Sequence, residues 1–144
     1  MTLSPSDRAA LTGLVHRYAA GVDDRQVDSV AQLFTDTAEL TVPDPPAELG
    51  PVHQHRGQPA IGAAIAAVAT TVRTEHAIVG EVYDDGPRPD CARGRITCVA
   101  HHWMQRGEDF SDLVWHLRYD DEYQRTDAGW RISRRVLTIN AIEH

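Results

Sequence analysis

The sequence predicts an α+β fold: a conical barrel of curved antiparallel sheet, with N-terminal helices closing a central cavity. Three observations lead there. Apolar residues recur at helical spacing in the first half of the chain, as at Leu11, Leu14, Val15, Tyr18, Ala19 and Val22. From His76 onward, long strand-like runs are separated by tight-turn signals at Asp84–Asp90, Arg106–Asp109 and Asp127–Gly129. Helices gathered at one end and hairpins at the other imply segregated layers, with the helices laid across the concave face of the sheet.

Each element has its own warrant. Ser4-Pro5-Ser6-Asp7 is a helix start: Ser4 can cap, Pro5 suits the first turn, and Asp7 favours the positive end of the dipole. The first helix ends at Asp23-Asp24, where its apolar stripe stops. A short second helix is expected over Val27–Phe34 and a first strand over Thr37–Val42. Pro43–Pro59 holds five prolines and two glycines and reads as a long loop over a site. Pro59 then opens a third helix running to Val72. Strands follow from His76, over Cys91–Gln105, Ser111–Thr126 and Trp130–Ile142. A single domain spanning residues 1–144 is expected from the length.

Composition narrows the function. A net charge of −7, with arginines as the basic residues and mostly beside acids, argues against a nucleic-acid partner, which needs clustered cations. No stretch of 18 apolar residues exists, so no membrane span is expected. The N-terminal MTLSPSDRAAL lacks a basic region ahead of an apolar core, so no signal peptide is expected and the localisation reads as cytoplasmic. Cys91 and Cys98 stand seven apart on one strand, facing opposite sides, and suit neither a CxxC motif nor a disulfide.

Among candidate functional residues Asp23 stands first, because a carboxylate at the end of an apolar stripe can turn inward. Its alternative is a helix cap, a part Asp24 fills better from the solvent side. His76 and His101 are the candidate partners, and an Asp–His pair suits proton transfer at neutral pH. His101 and His102 are adjacent on a strand, so one faces in and the other out. Thr97, Val99, His101 and Trp103 share one face and Ile96, Cys98, Ala100 and His102 the other, and alternation does not choose between them. His53 and His55 suggest a metal, but lack carboxylate or cysteine companions at ligand spacing, so neither metal nor cofactor is expected. Trp103, Trp115, His116, Arg118 and Tyr119 are candidates for the cavity wall, Trp130 for the core, and Arg134-Arg135 for surface or interface pairing or for substrate contact.

The segments YAAGVDDRQVDSVAQLFTDTAEL, RTEHAIVG and RYDDEYQRTDAGWRISRR resemble a SnoaL-like domain of the nuclear-transport-factor-like superfamily. Scytalone dehydratase and hexachlorocyclohexane dehydrochlorinase are its nearest nameable members, and the resemblance runs from about Leu11 to Arg135. It implies catalytic roles for Asp23, His76 and His101, the last favoured over His102 by position. It also implies a substrate cavity touched by Tyr18, Val22, Val42, Trp103, His116 and Tyr119. The dehydratase's carbonyl-binding tyrosines would fall at Val22 and Val42, and its serine and asparagine at Leu117 and Tyr119. A scytalone substrate is therefore not expected. The expected function is a cofactor-independent lyase or isomerase of dehydratase or cyclase type, acting on a small, largely apolar molecule. The alternative is a non-catalytic small-molecule binding or accessory protein of the same fold. A homo-oligomer is also expected.

Overall fold

A computed structural model describes residues 2–67, 71 and 73–144. The chain runs α1 (Pro5–Asp23), α2 (Val27–Ala31), β1 (Phe34–Asp44), β2 (Glu48–Arg56), α3 (Gln58–Ala66), β3 (Arg73–Asp85), β4 (Cys91–Arg106), β5 (Asp109–Thr126) and β6 (Gly129–Glu143).

The start of α1 is the capping box the sequence implies. Ser4 Oγ accepts the Asp7 N–H at 3.0 Å and Asp7 Oδ2 accepts the Ser4 N–H at 3.0 Å. Asp7 also accepts from Trp130 Nε1 at 3.1 Å and Arg125 Nη2 at 2.9 Å, which ties the helix start to β5 and β6. The Ser4 N–H and the Trp130 indole hold the Asp7 carboxyl well below its usual range. The predicted stripe is the buried one: Leu11, Leu14, Val15, Tyr18, Ala19 and Val22 all face the sheet. Burying each large apolar side chain among them contributes about 1.5–3 kcal/mol.

The six strands form one curved, unclosed sheet in the order β2-β1-β6-β5-β4-β3. This is the curved sheet with N-terminal helices that the sequence predicts; all neighbours are antiparallel except β1 and β6, which run parallel. The last strand enters between β1 and β5, leaving β2 and β3 as edges. Alternation on β4 buries Ala92, Gly94, Ile96, Cys98, Ala100 and His102 on the helix side. On β5, Leu117, Tyr119, Asp121 and Tyr123 do the same. Gly94 is required there, because a Cβ would lie 2.5 Å from the Tyr123 hydroxyl.

Three boundaries differ from expectation. The second helix stops at Ala31, because the Leu33 carbonyl accepts the Ile132 N–H and Phe34 pairs with Ile132, drawing the chain into the sheet. The expected Pro43–Pro59 loop is largely the edge strand β2. Its prolines fall where strands tolerate them: Pro45 and Pro46 in the turn, Pro43 and Pro51 within the interval where the β1–β2 register shifts. In the third helix Ile61 and Ile65 are buried, and Gly57 at its N-cap takes φ 85°. Its expected continuation through Val68, Ala69, Thr70 and Val72 lies outside the described residues.

The interior also holds an ion pair, where surface or interface pairing or substrate contact was expected of Arg135. Arg135, fully buried, donates from Nε and Nη2 to the Asp121 carboxylate at 2.8 and 2.7 Å. Its guanidinium lies 3.9 Å from the Tyr119 ring centre and 4.3 Å from that of Tyr18. The Tyr123 hydroxyl donates to Asp121 at 2.6 Å. Burial disfavours the Arg135 charge, but Asp121 outweighs it and keeps the guanidinium protonated. Breaking such a buried pair from one side costs about 3–5 kcal/mol.

Candidate active site

A cavity of about 440 Å³ lies between the concave face of the sheet and the helices. Its wall is mostly apolar, with Val22, Leu40, Val42, Ile65, Leu113, Trp115, Leu117 and Leu137 among the lining residues. The titratable side chains in that lining are Tyr18, His55, His76, His102 and Tyr119. Among the described residues no arginine lines it.

Asp23 is the last residue of α1, and its position there puts the carboxylate against the start of β3. Asp23 Oδ1 lies 2.7 Å from His76 Nδ1, and Asp23 Oδ2 accepts the His76 backbone N–H at 2.9 Å. Thr74 Oγ1 donates to Asp23 Oδ1 at 3.0 Å. Behind it, Arg25 Nη1 donates 2.9 Å to Thr74 Oγ1 and 3.1 Å to the Val22 carbonyl. Its Nη2 reaches Thr71 Oγ1 at 3.2 Å. Arg25 adopts φ 60°, a left-handed conformation unusual for a non-glycine residue, and this turns its side chain back across the end of α1. Asp24, by contrast, is exposed; it ends α1 rather than capping α2, whose cap position is Gln26.

Burial pushes the Asp23 carboxyl up, but the hydrogen bonds from the His76 ring and backbone and from Thr74 outweigh it, so the net shift is down. An ionised Asp23 can only accept, so His76 Nδ1 carries a proton and, when the ring is neutral, Nε2 carries the lone pair. The His76 side chain is 8% exposed, so the cavity is its contact with the outside.

The second histidine of the wall is His102, not His101. His102 Nδ1 donates to the Leu113 carbonyl at 3.0 Å, so its Nε2 is also an acceptor when the ring is neutral. Burial lowers its basicity further. Its ring centre lies 6.3 Å from that of His76 and 4.3 Å from that of Trp115.

Of the residues named from sequence, the structure brings together Asp23, His76, Tyr18, Val22, Val42 and Tyr119. Trp115 lines the cavity as well, whereas the expected placements of His101, Trp103 and His116 are overturned: all three lie on the outer face. His101 is bonded to Asp112 at 2.8 Å and stacked on Trp103 with centres 5.4 Å apart; His116 pairs with Glu143. The reason is strand parity: the wholly apolar set Ile96, Cys98 and Ala100 packs inward and carries His102 with it. No local signal marked His102, since Val99 and Trp103 make the other face substantially apolar too. The sequence reading also missed Thr74 and Arg25 behind Asp23, and placed His55 only in a metal reading. His55 lines the cavity, while His53 lies 3.8 Å from Asp44. Among the described residues no group of three or more His, Cys, Asp or Glu side chains is arranged to hold a metal.

Comparison with known proteins agrees with this architecture. The crystal structure of Kfla4162 from Kribbella flavida superposes with a TM-score of 0.82 at 26% identity, over 96% of this chain and 94% of that one. The hexachlorocyclohexane dehydrochlorinase LinA type 2 gives 0.78 at 21% identity, covering 96% and 88%. A candidate scytalone dehydratase from Novosphingobium aromaticivorans gives 0.79 at 18%, covering 96% and 87%. At these last two identities the likeness is one of fold. An uncharacterized protein of Mycobacterium tuberculosis is 30% identical over 135 residues, which are 92% of this chain and 85% of the relative. No described helix is long and apolar enough to cross a membrane. The family model of the SnoaL-like domain matches residues 4–136, and the chain belongs to that family.

Proposed function

We propose that the chain is a cofactor-independent lyase or isomerase that begins by removing a carbon-bound proton from a small, uncharged, largely apolar substrate. The observation that carries this reading is the Asp23–His76 pair at the wall of an apolar cavity. Asp23 fixes the ring tautomer and stabilises the imidazolium once His76 Nε2 has taken the proton. A general base of this kind contributes on the order of 10²–10⁴-fold. A cavity without a lining arginine offers a charged substrate no counter-ion, so a neutral one fits. The family and its dehydrochlorinase and dehydratase relatives, whose names describe eliminations, support the same class.

The test uses a substrate defined by chemistry alone. 5-Nitrobenzisoxazole opens when a base removes its ring C–H proton, and the phenolate released is coloured. The purified protein should accelerate this opening above buffer, saturably, and His76→Ala should remove the acceleration. A wild-type rate no higher than that of His76→Ala would reject the reading. Tight binding of apolar probes with no proton transfer would instead favour a binding or accessory role for the cavity.

A further inference from the structure

Removing a proton from carbon is half of an elimination. The departing oxygen also needs a proton, and among the described residues the titratable side chains around the base have none free to give. His76 Nδ1–H is committed to Asp23 and His102 Nδ1–H to the Leu113 carbonyl, so both rings turn acceptor nitrogens to the cavity. The two tyrosines of the lining are buried, which raises their hydroxyl pKa values and makes them poor acids.

His55 is placed differently. It pairs across the β1–β2 ladder with Leu40, and directly opposed residues share a face, so its ring stands on the buried, cavity side of the sheet with Leu40. β2 and β3 are the two edges of the sheet, and four strands separate them. The curl of the sheet therefore brings His55 and His76 into one cavity from opposite ends. His55 has no hydrogen-bond partner among the described residues, so nothing fixes its tautomer. It is half-buried, which lets it exchange protons with solvent between turnovers. Its neighbour on the same face, His53, is more exposed and beside Asp44.

We propose that His55 is the proton donor of the reaction that His76 begins, serving substrates that lose an oxygen leaving group; this rests on the reading of His76 as base. The step balances. The C–H proton goes to His76 Nε2 and its electron pair becomes the new double bond. The C–O bond breaks with its pair on oxygen, and that oxygen takes the proton of protonated His55. Water or an alcohol leaves, His76 returns its proton to solvent, and His55 takes one up.

The experiment compares two probes that share the base step and differ in need for an acid. 5-Nitrobenzisoxazole expels a well-stabilised phenolate, whereas unsubstituted benzisoxazole expels a poor one. His55→Gln should slow the unsubstituted probe at least about tenfold more than it slows the nitro probe, while His76→Ala abolishes both. An equal effect on the two probes, or none, overturns the assignment of His55 and leaves His76 standing. A wild-type protein inert to both probes removes the base and the donor together. A second measurement guards against a misfolded variant: in wild type, 2-cyanophenol, the product of the unsubstituted probe, should shift the ring resonances of His55 and leave those of His53 in place. Shifts confined to other residues overturn the proposal.

Discussion

One sheet carries two aspartate–histidine pairs of nearly equal length on its opposite faces. Inside, Asp23 and His76 meet at 2.7 Å; outside, Asp112 and His101 meet at 2.8 Å. Everything else about them differs. Asp23 takes three hydrogen bonds, one of them from backbone and one relayed to Arg25, and its histidine is 8% exposed at an apolar cavity. Asp112 binds with a single oxygen, its other oxygen is buried without a partner, and its histidine leans on an exposed-face tryptophan. A short contact between two such groups therefore says little about chemistry. What distinguishes the inner pair is the number of bonds fixing the carboxylate and a dry space into which the second nitrogen opens.

The largest expected effect breaks the symmetry outright. His76→Ala should lower the rate of 5-nitrobenzisoxazole opening by about 10²–10⁴-fold, the usual weight of a positioned base. His101→Ala should leave it within about twofold, as for surface substitutions. Equal losses would show that the cavity pair has no privilege over the outer one. Next in size is Asp23→Asn, expected to cost on the order of 10²-fold by losing the charge that stabilises the imidazolium. Asp112→Asn should cost nothing measurable. The same variants can be followed by NMR: Asp23→Asn should change the ring-nitrogen signature of the His76 tautomer, because the carboxylate that accepts from Nδ1 is gone. An unchanged signature would mean that Asp23 does not fix the ring in solution.

A smaller effect probes the relay behind the inner pair. Thr74→Val removes the link between Arg25 and Asp23 while keeping the shape of the side chain. The rate should fall about three- to tenfold, the worth of about one ordinary hydrogen bond. The thermal midpoint should fall as well, and Arg25→Gln should reproduce the kinetic loss. If Thr74→Val loses only stability, the relay braces the fold and does not position the carboxylate.

How much of this was readable beforehand follows from where the information lies. The stripe of α1 from Leu11 to Val22 is local, repeated at one period, and the structure buries it as written. The β2 edge was hidden because its prolines look like loop; they are tolerated because the turn and the register shift need no ladder bond at those places. On β4 the alternation of faces was legible, but its sign was not. Whether Ile96–Ala100 or Thr97–Val99 turns inward is decided by α1 packing against the sheet, so His101 and His102 exchanged roles. Arg135 escaped because its partner Asp121 lies on the adjoining strand, and only the β5–β6 register brings the charges together. Asp23 stood out at the end of the α1 stripe, whereas the preference for His76 over a structural histidine rested on family resemblance, since nothing local in either segment announces the other.

The smallest effect separates the two faces by acid rather than by rate, and its sign follows from burial. His102 sits on the inner face with a basicity lowered by desolvation, so the folded protein declines a proton that the unfolded chain accepts. Well above the ordinary histidine pKa of about 6.5, both states are neutral and His102 contributes no pH dependence. As pH falls through that value the unfolded state gains protons first, and stability drops until the folded protein also protonates. Asp23 acts in a lower window with its own sign: its depressed pKa supports the fold above the ordinary carboxylate range and loses that support as pH falls through the folded value. Urea unfolding between pH 7.5 and about 5 should therefore show a shallower loss of stability in His102→Gln than in wild type. His101→Gln, on the outer face, should follow the wild-type curve more closely. A wild-type slope unchanged by His102→Gln would place the acid-sensitive group elsewhere and remove the distinction between the two adjacent histidines that strand parity draws.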